Sequence, residues 1–220
     1  MEKFKANDNK NEEHEINYRQ FNKKLELLNQ ILSLISDINQ ASDEKEVKDC
    51  IPALLQYTGE YTDADRVYIF ELMSEKQDYY SNTFEWCREG IIPQIDNLIR
   101  ISVDSMPVWH EKFLRGETII IHDLEKIRET MPSEYDILKV QDIHSLLVLP
   151  LFANTQLSGF IGLDNPELVN PGVSISLLSN AGGHLASTLN NLRMFRMLEE
   201  KQKTLESNLE ELQKEKHGRL

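Results

Sequence analysis

Apolar residues first recur with a helical period after Tyr18, where Phe21, Leu25, Leu28, Leu32 and Ile35 alternate steps of four and three and Ile31 and Ile38 widen the stripe. This predicts an amphipathic helix that meets another helix. Ser42 then precedes Asp43, Glu44 and Glu46, the acidic first turn of a second helix whose apolar face is Val47, Ile51, Leu54, Leu55 and Tyr61. Pro52 falls inside it and predicts a kink or a restart. Arg66 to Met73 is apolar on both parities, as in a central strand buried on both faces. Ser74 to Gln77 reads as a turn into a second strand, Asp78 to Cys87. Strict alternation there puts Tyr80, Phe84 and Trp86 on one face and Tyr79, Thr83, Glu85 and Cys87 on the other.

Gly90, Pro93 and Asp96 break the pattern before a short strand near Ile99 to Val103. Pro107 opens a short helix carrying Trp109 and Phe113, and Gly116 closes it. Thr118 to Ile121 reads as a buried strand, and Leu124 to Val140 as a polar helical insert. Ser145 to Ala153 and Gln156 to Asp164 form a hairpin around Asn154 and Thr155. The last helix starts near Ser174. Leu178, Ala181, Leu185, Leu189 and Leu192 suit core packing, whereas Leu198, Leu205 and Leu212 repeat every seven residues with Phe195 and Leu209 at the alternate seam positions, a coiled-coil register. The fold class that follows is α+β: a largely antiparallel sheet between helices, with a more irregular opposite face.

Composition narrows the function. Of 220 residues, 37 are acidic and 24 basic, for a net charge of -13; without a basic stripe, nucleic acid and anionic membrane surfaces are disfavoured. No apolar run approaches the roughly 18 residues of a membrane span, and the polar start lacks a secretory core, so the cytoplasm is the expected location. Two cysteines, Cys50 and Cys87, are too few for a disulfide framework and lack zinc spacing. Met1 to Asn17 is polar without a sustained period and reads as a disordered terminus. The expected organisation is thus 1–17 disordered, 18–197 one domain, and 198–220 a coiled-coil helix.

Three motifs carry a resemblance: Thr83-Phe84-Glu85-Trp86-Cys87 with Gly90 and Ile91; Val108-Trp109 leading through Leu114-Arg115-Gly116-Glu117 to Ile121-His122-Asp123-Leu124; and Ile143 to Leu151 followed by Gly159-Phe160-Ile161-Gly162-Leu163-Asp164. Over roughly Leu25 to Glu199 the chain resembles a GAF domain, a sensory module related to PAS domains. The Glu-Trp-Cys version is similar to GAF domains of bacterial signalling proteins, often ahead of a GGDEF-type diguanylate cyclase or an EAL-type phosphodiesterase. The resemblance implies an input module that binds a small molecule, dimerises, or both, and relays to an output domain.

Known ligand classes can be tested by residue. Asn165 matches the cyclic-nucleotide pattern, but Pro166 stands where Lys is expected, and the following residues lack the Phe and Asp-Glu that complete it. Neither cysteine has an adjacent histidine, which argues against a covalent bilin. His110, His122 or His144 could serve a haem, with nothing in the sequence to single one out. No cofactor is identified and no metal site is expected.

The expected ligand pocket comprises Tyr80, Phe84, Trp86, Trp109, Phe113, His122 and Asp164; core packing is the competing reading of its aromatics. No catalytic residue is expected. The alternative is a thiol-dependent reductase of the free-methionine sulfoxide reductase type using Cys87. Phe21, Leu25, Leu28, Leu32, Ile35, Leu198, Leu205, Leu209 and Leu212 are the expected interface of a parallel homodimer, because both stripes must be buried somewhere.

Overall fold

The computed structural model describes the backbone of residues 2–73, 78–167 and 171–217, and the side chains of 15–73, 78–167, 171–195, 197–206 and 208. Helix α1 spans Glu2–Gln40 and α2 spans Glu44–Thr62. Asp43 caps α2 by accepting the Glu46 N–H at 2.9 Å, and Glu46 reaches back to the Ser42 N–H at 2.7 Å, so the acidic start works as a reciprocal cap. The helix runs unbroken through Pro52, where a kink or a restart was expected, so there is no restart. Helix α1 begins within the segment 1–17 that its polar composition predicts to be disordered.

Strand β1 (Arg66–Met73) pairs antiparallel with β2 (Tyr79–Cys87) and with β6 (Gln156–Asp164). The turn expected at Ser74 to Gln77 lies outside the described residues. Strand β3 (Ile101–Ser102) edges one side; β5 (Leu146–Ala153) and β4 (Ile119–Ile121) complete the other, for the order β3-β2-β1-β6-β5-β4. Each pair is antiparallel, and both edge strands are short, which limits the unpaired backbone they offer.

Two cores lie on opposite faces of this sheet. One face packs α1, α2 and helix α5 (Pro171–His217) through Ile31, Ile51, Val67, Ile69, Leu147, Leu178 and their neighbours. The other packs helix α3 (Pro107–Leu114), helix α4 (Pro132–Lys139) and a 3-10 turn at Leu124–Ile127 through Tyr68, Phe70, Trp109, Leu138, Leu146 and Phe160. The irregular second layer is where a site can form, since loops and short helices leave gaps that parallel helices close.

The β2 alternation is not strict. Register against β1 slips between Ile69 opposite Phe84 and Phe70 opposite Asn82, so Thr83 is an extra residue in a bulge. One extra residue exchanges faces for all that follows. Tyr80 and Asn82 therefore point to the irregular layer, whereas Phe84 and Trp86 point to the helical layer and Glu85 takes the place they were expected to fill.

The helix stripe is corrected too. The core edge of α1 is Leu27, Ile31, Ile35 and Ile38, with Ile35 only 7% exposed and Leu28 packed partly against the core, so Ile35 is spent within the protomer. Phe21, Leu25 and Leu32 remain exposed, as do Leu198 and Leu205 on α5. The side chains of Leu209 and Leu212 lie outside the described residues.

Candidate functional site

The site grows from the crossing of β1, β2 and β6. On the irregular side, Phe160 of β6 gathers five rings: Phe70 stacks on it at 4.6 Å, Tyr80 and Phe113 approach at 5.0 and 5.1 Å, and Trp109 and Tyr68 meet it edge-on at 6.3 and 6.5 Å. Offset and edge-to-face rings of this kind fix one another's orientation. Trp109 is held from behind as well. Helix α3 has no side-chain cap of its own, and Glu134 of α4 supplies one by accepting the Val108 and Trp109 N–H groups at 2.8 and 3.2 Å.

Beside this cluster sits a buried polar group. Asp164, 1% exposed, pairs with Arg66 Nε at 2.9 Å and accepts the Tyr68 hydroxyl at 2.9 Å. Arg66 donates to the Gln141 carbonyl at 2.9 Å, which ties β1 to the end of α4. The Tyr68 ring reaches Asp164 because Gly162 lies under it: a Cβ there would sit 2.3 to 2.6 Å from the ring atoms. Burial raises the Asp164 carboxyl to about 6 despite the opposing pull of Arg66 and Tyr68, and burial beside that carboxylate pushes the Tyr68 phenol well above its ordinary value.

Between the aromatics and the polar group is a cavity of about 30 Å³. That is room for about two water molecules. Its walls are largely apolar, with Asn82, Glu85, Gln141 and Asp164 as the polar exceptions. Glu85 is committed: it accepts from Asn82 Nδ2 at 3.1 Å and from the backbone N–H groups of Gln94 and Ile95 at 2.8 and 3.1 Å, holding the β2–β3 connection. Two wall atoms are not. Asn82 Oδ1 and Trp109 Nε1 are buried without a hydrogen-bond partner, in residues 4% and 3% exposed. An unpaired buried polar atom costs about 1–3 kcal/mol, so an acceptor and a donor stand unused in one small cavity.

Of the expected pocket residues, Trp109 and Asp164 line this cavity. Tyr80 and Phe113 are buried in the ring cluster behind it, with the Tyr80 hydroxyl at 2.8 Å from His110 Nδ1. His122 is exposed at the end of β4. Phe84 and Trp86 are on the other face of the sheet, turned there by the bulge. Sequence reasoning did not assign Arg66, Tyr68, Asn82, Glu85 or Phe160 to the site. The signal available for Tyr68 was the small residue at Gly162, on the strand that pairs with it.

A larger cleft of about 230 Å³ adjoins Arg66 and Gln141, lined by polar groups that include Asp65, Gln94, Asp142 and Asn165. Asn165 organises it from a left-handed backbone, φ 50°, accepting from the His144 and Ser145 N–H groups and donating to Asp65 and the Asp142 carbonyl. The two thiols differ in setting. Cys50 packs at the edge of the helical core; Cys87 ends β2 half-buried, and burial together with the Glu85 charge pushes its thiol up to about 12. Among the described residues no group of three or more His, Cys, Asp or Glu side chains is arranged to hold a metal ion.

Comparison with known proteins bears on this arrangement. The model of the GAF domain family matches residues 46–175, more than half of the chain. A methanogenesis regulatory histidine kinase, FilI, of Methanothrix harundinacea is 31% identical over 146 residues, which are 64% of this chain and 16% of that protein. The chain thus spans about one sixth of this curated relative. Among solved structures, the phycoerythrobilin-bound GAF domain from a cyanobacterial phytochrome superposes with a TM-score of 0.60 at 16% identity, covering 79% of this chain and 97% of that one. The GAF domain from Acinetobacter phosphoenolpyruvate-protein phosphotransferase gives 0.57 at 14% identity, covering 76% and 94%. At these identities the structures speak to the fold.

Proposed function

The chain belongs to the GAF domain family, and we propose from that membership that it is a sensory module that takes a small molecule between the sheet and α3/α4 and relays its state to an output domain through α5. The observation that carries this is the apolar cavity with an unused acceptor, Asn82 Oδ1, and an unused donor, Trp109 Nε1. A core built only for stability gains nothing from two such atoms, whereas a binding site is completed by the molecule that satisfies them.

Strand β1 supports the relay. Its Tyr68 and Phe70 line the cavity, while Glu71 accepts from Arg193 of α5 at 2.8 Å on the far side. Arg193 also approaches Glu44 of α2 at 4.0 Å. A shift of β1 on ligand binding therefore acts on α5 where that helix leaves the sheet. The exposed Phe21, Leu25 and Leu32, with Leu198 and Leu205, support a parallel homodimer in which α1 and a coiled-coil extension of α5 cover these residues. The output is a histidine kinase, as in the relative from Methanothrix, or a diguanylate cyclase or phosphodiesterase, as the sequence resemblance implies.

The role is non-catalytic. Burial together with the Glu85 charge pushes the Cys87 thiol up to about 12, which disfavours the thiolate that the reductase alternative needs. Native mass spectrometry of the freshly purified chain tests the proposal: the expected result is a dimer carrying a small molecule that denaturation releases. A bare monomer at micromolar concentration, or sulfoxide turnover abolished by Cys87→Ser, would overturn it.

A further inference from the structure

The chemistry of the cavity walls says what kind of molecule fits, given the binding role proposed above. The inner cavity of about 30 Å³ and the outer cleft of about 230 Å³ share Gln141, and what divides them is a wall of side chains: Arg66 faces the cleft while its ion-pair partner Asp164 faces the cavity. The Arg66 hydrogen bond to the Gln141 carbonyl closes that wall, and the Gln94 N–H donating to Glu85 closes it a second time. Opened together, the chambers approach the roughly 300 Å³ at which ligand sites begin. Joining them takes the release of both contacts, Arg66 from Gln141 and Gln94 from Glu85.

Charge then restricts the occupant. The inner cavity carries two carboxylates, Glu85 and Asp164, while the nearby guanidinium of Arg66 lines the cleft and is ion-paired with Asp164. The cleft adds Asp65 and Asp142. An anion entering here would meet net negative charge in a low-dielectric setting, and Arg66 on the cleft wall already faces Asp164. A cation would be drawn by these carboxylates, but a charged end that offers only donors would leave Trp109 Nε1 without an acceptor. The rings of Phe70, Trp109 and Phe160 favour a flat body.

We propose that the two chambers form one site for a compact, uncharged aromatic molecule that presents a hydrogen-bond donor to Asn82 Oδ1 and an acceptor to Trp109 Nε1, as a primary amide or lactam edge does. Carboxylates and phosphates are excluded by the wall charges.

Three nearly isosteric probes, benzamide, benzoate and benzamidine, separate shape from charge. The chain has two tryptophans, and Trp86 packs over Gly59 on the opposite sheet face, so its indole N–H resonance is an internal control. In proton–nitrogen NMR of the intact chain, benzamide is expected to shift the Trp109 indole resonance and leave that of Trp86 in place, with a Kd at least tenfold lower than that of benzoate or benzamidine. Asn82→Leu is expected to weaken benzamide at least tenfold, its fold being checked by an unmoved Trp86 resonance. Equal or tighter binding of benzoate or benzamidine overturns the ligand class while leaving the sensor reading intact. No Trp109 response to any probe at 10 mM overturns the site as drawn, and the mass-spectrometric experiment then decides the sensor reading separately.

Discussion

Replacing Arg66 by Met tests the polar group at the centre of the site. Arg66 and Asp164 meet at 2.9 Å with side chains 4% and 2% exposed, so the substitution leaves a carboxylate in the interior with the Tyr68 hydroxyl as its remaining donor. Breaking a buried pair in this way costs about 3 to 5 kcal/mol, a third or more of the stability of an ordinary domain. The carboxylate has one escape, which is to take a proton. Already in the native chain burial holds Asp164 at about 6, above its ordinary 3.8. Between those values the folded state keeps a proton that the unfolded state releases. Stability from this group is therefore greatest below about pH 4 and falls as pH rises through 6, by about 3 kcal/mol at 1.36 kcal/mol per unit. Without Arg66 the carboxyl rises further, so the deficit of Arg66→Met should be largest at pH 8 and shrink to roughly 1 kcal/mol by pH 5. Urea unfolding at the two pH values measures it, with an unchanged m-value as the check on two-state behaviour. The double variant Arg66→Met with Asp164→Leu should recover most of the loss at pH 8. Equal deficits at pH 5 and pH 8, or a double variant no better than the single one, would refute the reasoning.

Other changes probe the two faces of the sheet and the proposed assembly. Trp86→Ala should cost about 3 to 5 kcal/mol in urea unfolding yet leave the benzamide response of Trp109 unaltered, whereas loss of that response would return Trp86 to the pocket. Gly59→Ala should destabilise by about 1 to 3 kcal/mol, since the new Cβ would stand 2.0 to 2.8 Å from the Trp86 ring; a Tm equal to that of the unmodified chain would show that the ring yields freely. Phe21→Glu with Leu205→Lys should convert a dimer to monomer in sedimentation without loss of helical circular dichroism, and a persistent dimer would move the interface elsewhere. Cys87 should react with a thiol-specific disulfide reagent at pH 7.5 at less than a hundredth of the rate of free cysteine, and a fast reaction would revive the reductase alternative.

Much of the fold could be read from periodicity because the elements are long and their patterns unambiguous. The β1 segment is apolar on both parities and is buried on both sides at the centre of the sheet, and the hairpin around Asn154 forms where expected, with Asn154 at φ 57°. The errors share a physical cause: each rests on a count along the chain that tertiary structure interrupts. The stripe on α1 has apolar residues on a wide arc, and a period alone does not say which edge of that arc meets α2 and α5. The core took Leu27, Ile31, Ile35 and Ile38, leaving Phe21, Leu25 and Leu32 outside. Pro52 left α2 continuous, because the missing N–H of a proline does not oblige a packed helix to end.

The bulge at Thr83 shows most sharply where sequence reading stops. Nothing in Tyr79-Tyr80-Ser81-Asn82-Thr83-Phe84-Glu85-Trp86 marks an extra residue, since no glycine stands there and both parities contain aromatics. Yet that residue decides which side chains face the cavity. With strict alternation the cavity would hold Phe84 and Trp86 beside Asn82; with the bulge Glu85 takes their place beside Tyr68 and Asp164, and the two large rings pack on the helical core instead. Asn82 precedes the extra residue and shares the face of Tyr80, where its Oδ1 has no hydrogen-bond partner. A single inserted residue thus puts a carboxylate where two large rings would stand, and it does so on the strand next to β1, which lines the cavity on one face and, through Glu71, meets helix α5 on the other.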